Sequence, residues 1–156
     1  MFPRLRFGIG WAPTIMGSGY LVAGGVVGVR IDLGARINRW FGFYTTLNGA
    51  TSFVYNTLHG AAMLEFYPHR AVSISTGIGV AAYAYSPLCL FGGCGGPRSD
   101  EAVTMPIRFT FFTNRSSDDQ PRGGFSVGVE FFPGFSVGDS RGAVLGGGLF
   151  LGYSRL

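Results

Sequence analysis

The chain has 156 residues, of which 27 are Gly, 47% are apolar and only 13% are charged. That length suits one domain (1–156), the apolar share excludes disorder, and the charged fraction is about half that of an ordinary water-facing surface. The cations are twelve Arg with no Lys, set against eight acids, and this scattered +4 excludes a nucleic-acid face. Glycine without a period of three excludes collagen, and a membrane remains as the natural surrounding.

Three long stretches lack formal charge: Phe7–Val29, Trp40–Leu64 and Ala71–Pro97. Each has the length of a transmembrane helix, but not the content. The first holds Pro13 and seven Gly, and the last holds Pro87, Pro97 and a Gly-Gly-Cys-Gly-Gly cluster. An interior Gly costs a helix about 1 kcal/mol relative to Ala, and Pro about 3. A period of two appears instead, the signature of strands.

The first segment sets Leu5, Phe7, Ile9 and Trp11 against Arg4, Arg6, Gly8 and Gly10. The second sets Leu21, Ala23, Gly25, Val27, Val29, Ile31 and Leu33 against Tyr20, Val22, Gly24, Val26, Gly28, Arg30 and Asp32. From Trp40 onward, Phe41, Phe43, Thr45 and Leu47 oppose Gly42, Tyr44, Thr46 and Asn48. A fourth segment opposes Leu58, Ala62, Leu64 and Phe66 to His59, Ala61, Met63, Glu65 and Tyr67. The fifth opposes Val72, Ile74, Ile78 and Val80 to Ser73, Ser75, Gly77 and Gly79. In the sixth, Val103, Met105, Ile107, Phe109 and Phe111 alternate with Thr104, Pro106, Arg108, Thr110 and Phe112. The seventh alternates Phe125, Val127, Val129 and Phe131 with Ser126, Gly128, Glu130 and Phe132. The last alternates Leu145, Leu149, Leu151 and Tyr153 with Gly146, Gly148, Phe150, Gly152 and Ser154.

Eight alternating segments fit two barrels. A soluble lipocalin-like barrel turns its apolar face inward around a ligand, whereas a transmembrane barrel turns it outward. Side-chain size decides between them. The apolar face is bulky and the other is mostly Gly, Ser and Thr, which suits a narrow eight-stranded lumen and not a water-facing exterior. The expected fold is all-β, an eight-stranded antiparallel up-and-down transmembrane β-barrel. With both termini on the inner side, Gly34–Arg39, Pro68–Arg70 and Asn114–Arg122 are inner turns. Pro13–Gly19, Thr51–Thr57, Ser86–Asp100 and Pro133–Gly142 are then outer loops. Phe41, Phe43, Phe66, Phe111, Phe125 and Tyr153 fall near the inner rim, with Trp11, Phe53 and Tyr85 at the outer one, as aromatic girdles do.

This architecture resembles the small outer-membrane barrels of Gram-negative bacteria, of the OmpA-transmembrane-domain and OmpX-like type, over the whole chain. The resemblance implies an outer-membrane, multi-pass location, a monomer, and contact with membrane lipid and lipopolysaccharide. It also implies handling by the outer-membrane assembly machinery, for which Tyr153, followed by Ser-Arg-Leu to Leu156, stands as the terminal aromatic. Met1–Arg6 precede too few unbroken apolar residues for a secretory signal, so the chain reads as a mature form with Met1 added.

Among ionisable groups, Arg4, Arg6, Arg30, Asp32, Glu65, Arg108 and Glu130 face the lumen and are expected to pair there, since buried charges are costly alone. A salt-bridged, closed lumen suits a structural or surface-interaction role. The alternative is a narrow solute or ion channel through the glycine-lined lumen. A lipid-modifying enzyme would need Ser, His and an acid within reach. Only His59, on the lumen face, and His69, in an inner turn, are available, so no catalytic residue is assigned. Cys89 and Cys94 in the longest outer loop are expected to form a disulfide in an oxidising exterior. Neither has the further ligands a metal needs, and no cofactor or nucleic-acid motif appears.

Overall fold

In a computed structural model the described residues are 4–18, 22–69, 71–85, 98–113, 124–138 and 142–155, with 4 and 5 described by backbone alone. They form twelve strands and no helix: β1 (Arg4–Trp11), β2 (Thr14–Ser18), β3 (Val22–Gly25), β4 (Val27–Arg36), β5 (Phe41–Thr51), β6 (Tyr55–His69), β7 (Val72–Tyr85), β8 (Arg98–Thr104), β9 (Ile107–Phe112), β10 (Gly124–Phe131), β11 (Gly134–Ser136) and β12 (Ala143–Arg155). These twelve make eight staves, because β1 continues into β2, β3 into β4, β8 into β9 and β10 into β11. Three of the four interruptions contain a proline: Pro13, Pro106 and Pro133. Proline removes one ladder donor, but its carbonyl still accepts. Leu149 N–H donates to Pro13 O at 3.2 Å, Gly77 N–H to Pro106 O at 3.2 Å and Met105 N–H to Pro133 O at 2.8 Å. The interruptions bend staves without opening the wall.

Every stave pairs antiparallel with its sequence neighbours, and the last returns to the first. β12 pairs with β10 and β11 on one side and with β1 and β2 on the other. At that closing seam Gly10 faces Gly152. A Cβ on either would run into the backbone of the other strand and the Phe150 ring, so the seam closes only on glycine. Among the described residues the ring of staves is closed, with only β3, which pairs with β2 alone, keeping an open side at the far end; closure of the ring is the condition for a β structure in lipid.

Burial alternates along the staves. Phe7, Trp11, Leu33, Leu47, Leu64, Phe109, Val129 and Leu149 are exposed, while Arg6, Arg30, Asp32, Glu65 and Arg108 are almost wholly buried. A soluble protein shows the reverse. The lipid-facing assignment of the bulky face, made from side-chain size, matches this exterior.

Several details depart from the sequence-based expectation. Segments assigned to outer loops Pro13–Gly19 and Pro133–Gly142 contain β2 and β11, since a proline interrupts a stave without ending it. The sixth stave starts at Arg98, which brings Asp100 out of the expected loop and into a strand. The Thr51–Thr57 connection is tighter than expected: Ser52 and Tyr55 exchange backbone hydrogen bonds of 2.8 and 3.3 Å, leaving Phe53 97% exposed at the tip. In the second segment Ala23 is buried and Val22 exposed, the opposite of the expected faces. Val26 and Val27 both point outward (67% and 68% exposed) between β3 and β4, so one extra residue reverses the parity of everything before it. Tyr85 is a further correction: it packs beside Tyr55 and the buried cluster, with ring centroids 5.1 Å apart, and does not mark the lipid rim. Cys89 and Cys94, with Tyr20, Arg70 and the Asn114–Arg122 turn, lie outside the described residues.

Refolding into detergent should give a band that migrates differently before and after boiling. Gly10→Val, which places a branched side chain on the closing seam, is expected to lower unfolding stability by about 1–3 kcal/mol through overpacking, read by denaturant titration of that band.

Candidate functional site

The lumen holds a layer of charge assembled from five strands. β1 supplies Arg6, β4 supplies Arg30 and Asp32, β6 supplies Glu65, β9 supplies Arg108 and β10 supplies Glu130. Strand register sets them side by side. Glu65 is opposite Ser75, Ser75 opposite Arg108, and Arg108 opposite Glu130 around one wall, with Asp32 opposite Gly8 and Thr46 on the other. The glycines matter here because their missing side chains leave the lumen volume the guanidinium groups fill. A Cβ on Gly8 would lie 3.3 Å from the Asp32 side chain.

Three guanidinium groups meet three carboxylates. Arg108 is central: Nη1 lies 3.2 Å from Asp32 Oδ1 and Nη2 lies 2.9 Å from Glu130 Oε1. The same group donates to Tyr44 Oη and Thr46 Oγ1, each at 3.0 Å. Arg30 lies 3.5 Å from Asp32 and 3.7 Å from Glu130, with its guanidinium 3.3 Å from the Phe150 ring centroid. Arg6 reaches Asp32 at 3.7 Å, pairs with Glu65, and lies 3.8 Å from the Tyr44 ring centroid. Glu65 also accepts from the Tyr67 hydroxyl and, at 2.6 Å, from Ser73 Oγ. Each ion has counter-charge and, in most cases, a hydrogen bond or ring face, the conditions under which burial of charge is tolerated. Arg4 enters β1 opposite Arg36 by backbone register, and its side chain is outside the described part.

Aromatic and apolar groups bracket this layer. Toward the end bearing the termini, Tyr67 and Phe112 pack together. Toward the far end, Met16, Ala23, Ala81, Tyr83, Ala102, Phe132 and Val144 form a buried cluster. Between that cluster and the ions sits a polar tier. Asn48 Nδ2 donates to Thr14 Oγ1 at 2.6 Å, and His59 Nε2 is 3.0 Å from Thr104 Oγ1, with its ring 4.7 Å from that of Phe132. His69 ends β6 at the surface, where its Nδ1 accepts from Ala71 N–H at 3.2 Å.

A buried carboxylate at the far end went unread in the sequence. Asp100 accepts from Tyr83 Oη at 3.0 Å and from Ser136 Oγ at 2.8 Å. It was hidden because both Asp100 and Ser136 stood in segments taken as loops. The usable signal was parity: counted back from Thr104 and forward from Phe132, both fall on the lumen face.

A closed meander of eight staves, greasy outside and ionic inside, defines a small transmembrane β-barrel. Solved structures give the same class. Ail, the attachment invasion locus protein of Yersinia pestis, bound to the heparin analogue sucrose octasulfate, superposes with a TM-score of 0.62 at 14% identity over 99% of each chain. Ail without that ligand gives 0.55 at 15% identity over 99% of each chain. Neisserial surface protein A gives 0.59 at 14% identity, covering 97% of this chain and 96% of that one. Both are small outer-membrane barrels, and identity this low makes the likeness one of fold. No family model and no curated protein sequence matches the chain.

Removing one member of the central pair should be costly. Arg108→Leu leaves Asp32 and Glu130 short of a cation and is expected to destabilise the refolded barrel by about 3–5 kcal/mol. Adding Glu130→Leu should recover part of that loss, with a coupling of about 1–3 kcal/mol in a double-mutant cycle measured by urea unfolding in detergent.

Proposed function

We propose that this chain is an integral outer-membrane protein whose barrel serves as a closed scaffold and whose role, structural or one of surface contact, is carried by the segments at its far end. The observation that carries the reading is the filled lumen. Six paired ions occupy the cross-section, with Tyr67 and Phe112 on one side and the Met16–Phe132–Val144 cluster on the other. A pore needs a continuous wet path, and side chains packed in this order leave charge bound to charge. Lipid and lipopolysaccharide around the apolar belt, delivery by the assembly machinery and a monomeric state belong to the same proposal.

The surface-contact reading gains support from Ail, whose name describes attachment and invasion and whose structure holds a heparin analogue. The same affinity does not transfer directly. Apart from the buried Asp100, the far-end segments of this chain carry Arg98 and Arg141 against Glu101 and Asp139, a net charge of zero poorly suited to a sulfated polyanion. A less charged partner is the better match. Catalysis is not part of the proposal: His59 is engaged with Thr104 and Phe132 and His69 with a backbone amide.

The competing channel reading draws on Arg30 Nη2, Asn48 Oδ1 and His59 Nδ1, buried polar atoms without a protein partner that line one stretch of lumen. Planar-bilayer recording separates the two. Insertion without stable single-channel steps is expected, and steps that disappear in Arg108→Leu or Glu65→Gln would establish the channel instead.

A further inference from the structure

The net charge of the chain is unevenly placed. The lumen ions balance one another, and the far-end segments carry two Arg against three acids. The far-end segments thus carry −1, and the remaining Arg4, Arg36, Arg39, Arg70, Arg115, Arg122 and Arg155 against Asp118 and Asp119 give +5 in chain order to the end bearing the termini, for the formal +4 of the chain. Among the described residues there, Arg39 and Arg155 are exposed, and Arg36 is engaged in the β4–β5 turn. Arg70, Arg115 and Arg122, with Asp118 and Asp119, belong to the connections at this end, and enter the argument only as charge in the sequence.

The same end carries an aromatic shelf. Trp40 stacks on Phe66 (centroids 6.3 Å apart, 18° between planes), and Phe41 packs on Phe66 at 5.3 Å. Trp and Tyr at the border of an apolar belt mark the headgroup level of a bilayer. Arg39 lies 5.1 Å from the Trp40 ring centroid, which puts its charge at that level. Arg36 lies 4.4 Å from the Tyr67 ring and braces the β4–β5 turn by donating to Asn38 O at 3.0 Å and Arg39 O at 2.7 Å. Asn38 Oδ1 fixes the turn from the other side, accepting from Trp40 and Phe41 N–H at 2.8 Å.

We propose that the end of the barrel bearing the termini selects anionic phospholipid headgroups from the leaflet it meets, through Arg39 at the Trp40 shelf and Arg155 at the end of β12, with Arg36 holding the turn. This rests on the membrane-barrel reading above. An exposed cation at an anionic bilayer surface gains about fivefold in local lipid preference, and the gain is screened by salt.

The chain has two Trp, and they mark opposite ends. Trp11 lies toward the far end, where its Nε1–H donates to Val26 O at 2.8 Å. Trp11→Phe therefore leaves a reporter at the basic rim, and Trp40→Phe leaves one at the other. Each variant is refolded into phosphatidylcholine vesicles containing brominated phosphatidylglycerol or, in parallel, brominated phosphatidylcholine, and quenching is compared. Trp40 should be quenched in preference by the anionic lipid, with a relative binding constant of about 5–25 at low salt falling toward unity at high salt. Trp11 should show no such preference. Arg39→Gln with Arg155→Gln should abolish the Trp40 preference, and the salt series on the arginine-intact chain keeps the test decisive if that variant fails to fold. Equal quenching of Trp40 by the two lipids overturns the proposal, as does a preference that survives high salt or the loss of both arginines. Failure of either Trp to be quenched by any brominated lipid overturns the membrane reading itself, a distinguishable result.

Discussion

Charge neutrality inside a closed wall is the constraint on which this structure depends. Six ions lie where bulk water cannot solvate them, so each guanidinium needs a carboxylate and each carboxylate a donor. Arg108 meets this need through Asp32, Glu130, Tyr44 and Thr46 together. Such pairs gain little net free energy over a greasy filling, because desolvation offsets the Coulomb attraction. Their value lies in specification. Slipping any of β1, β4, β6, β9 or β10 by one residue would send an ion into the apolar exterior and leave its partner unpaired.

The wall that makes this arrangement possible is built from two devices. Prolines at 13, 106 and 133 interrupt hydrogen bonding where a stave bends, yet keep their carbonyls in the ladder. Glycines on the lumen side give up side-chain volume so that Arg6, Arg30 and Arg108 can lie across the interior. Apart from the few that plug the lumen, such as Phe112, Phe132, Phe150 and Val144, the bulky Leu, Val, Ile and Phe occupy the outer face, where lipid accepts them. Size and polarity thus sort onto opposite faces for one reason.

Most of this was legible from alternation alone, because a period of two runs through the part of each stave that holds an ion and carries the six ions on its inward phase. Legibility failed where phase was broken or where a chain-breaking residue was overvalued. Gly24-Gly25-Val26-Val27 reads equally well in either register, so the bulge that reverses Val22 and Ala23 leaves no trace in residue type. Pro13 and Pro133 read as stave ends, which hides Met16 and Ser136 from the interior. Asp100 was lost for a related cause, since its strand follows the glycine- and cysteine-rich connection without a hydrophobic start. How ions pair across five strands was beyond the sequence, as partners such as Asp32 and Arg108 are brought together only by closure.

The central claim is that apolar side chains face lipid while the ions face the axis. Site-directed spin labelling along β6, in a background lacking Cys89 and Cys94, measures it directly through collision with dissolved oxygen and with a water-soluble nickel complex in lipid vesicles. Labels at 58, 62, 64 and 66 should be strongly oxygen-accessible, and labels at 61, 63 and 65 protected from both quenchers, in strict alternation. Nickel accessibility rising at 58, 62, 64 and 66, or the same oxygen accessibility at every position, would contradict the account.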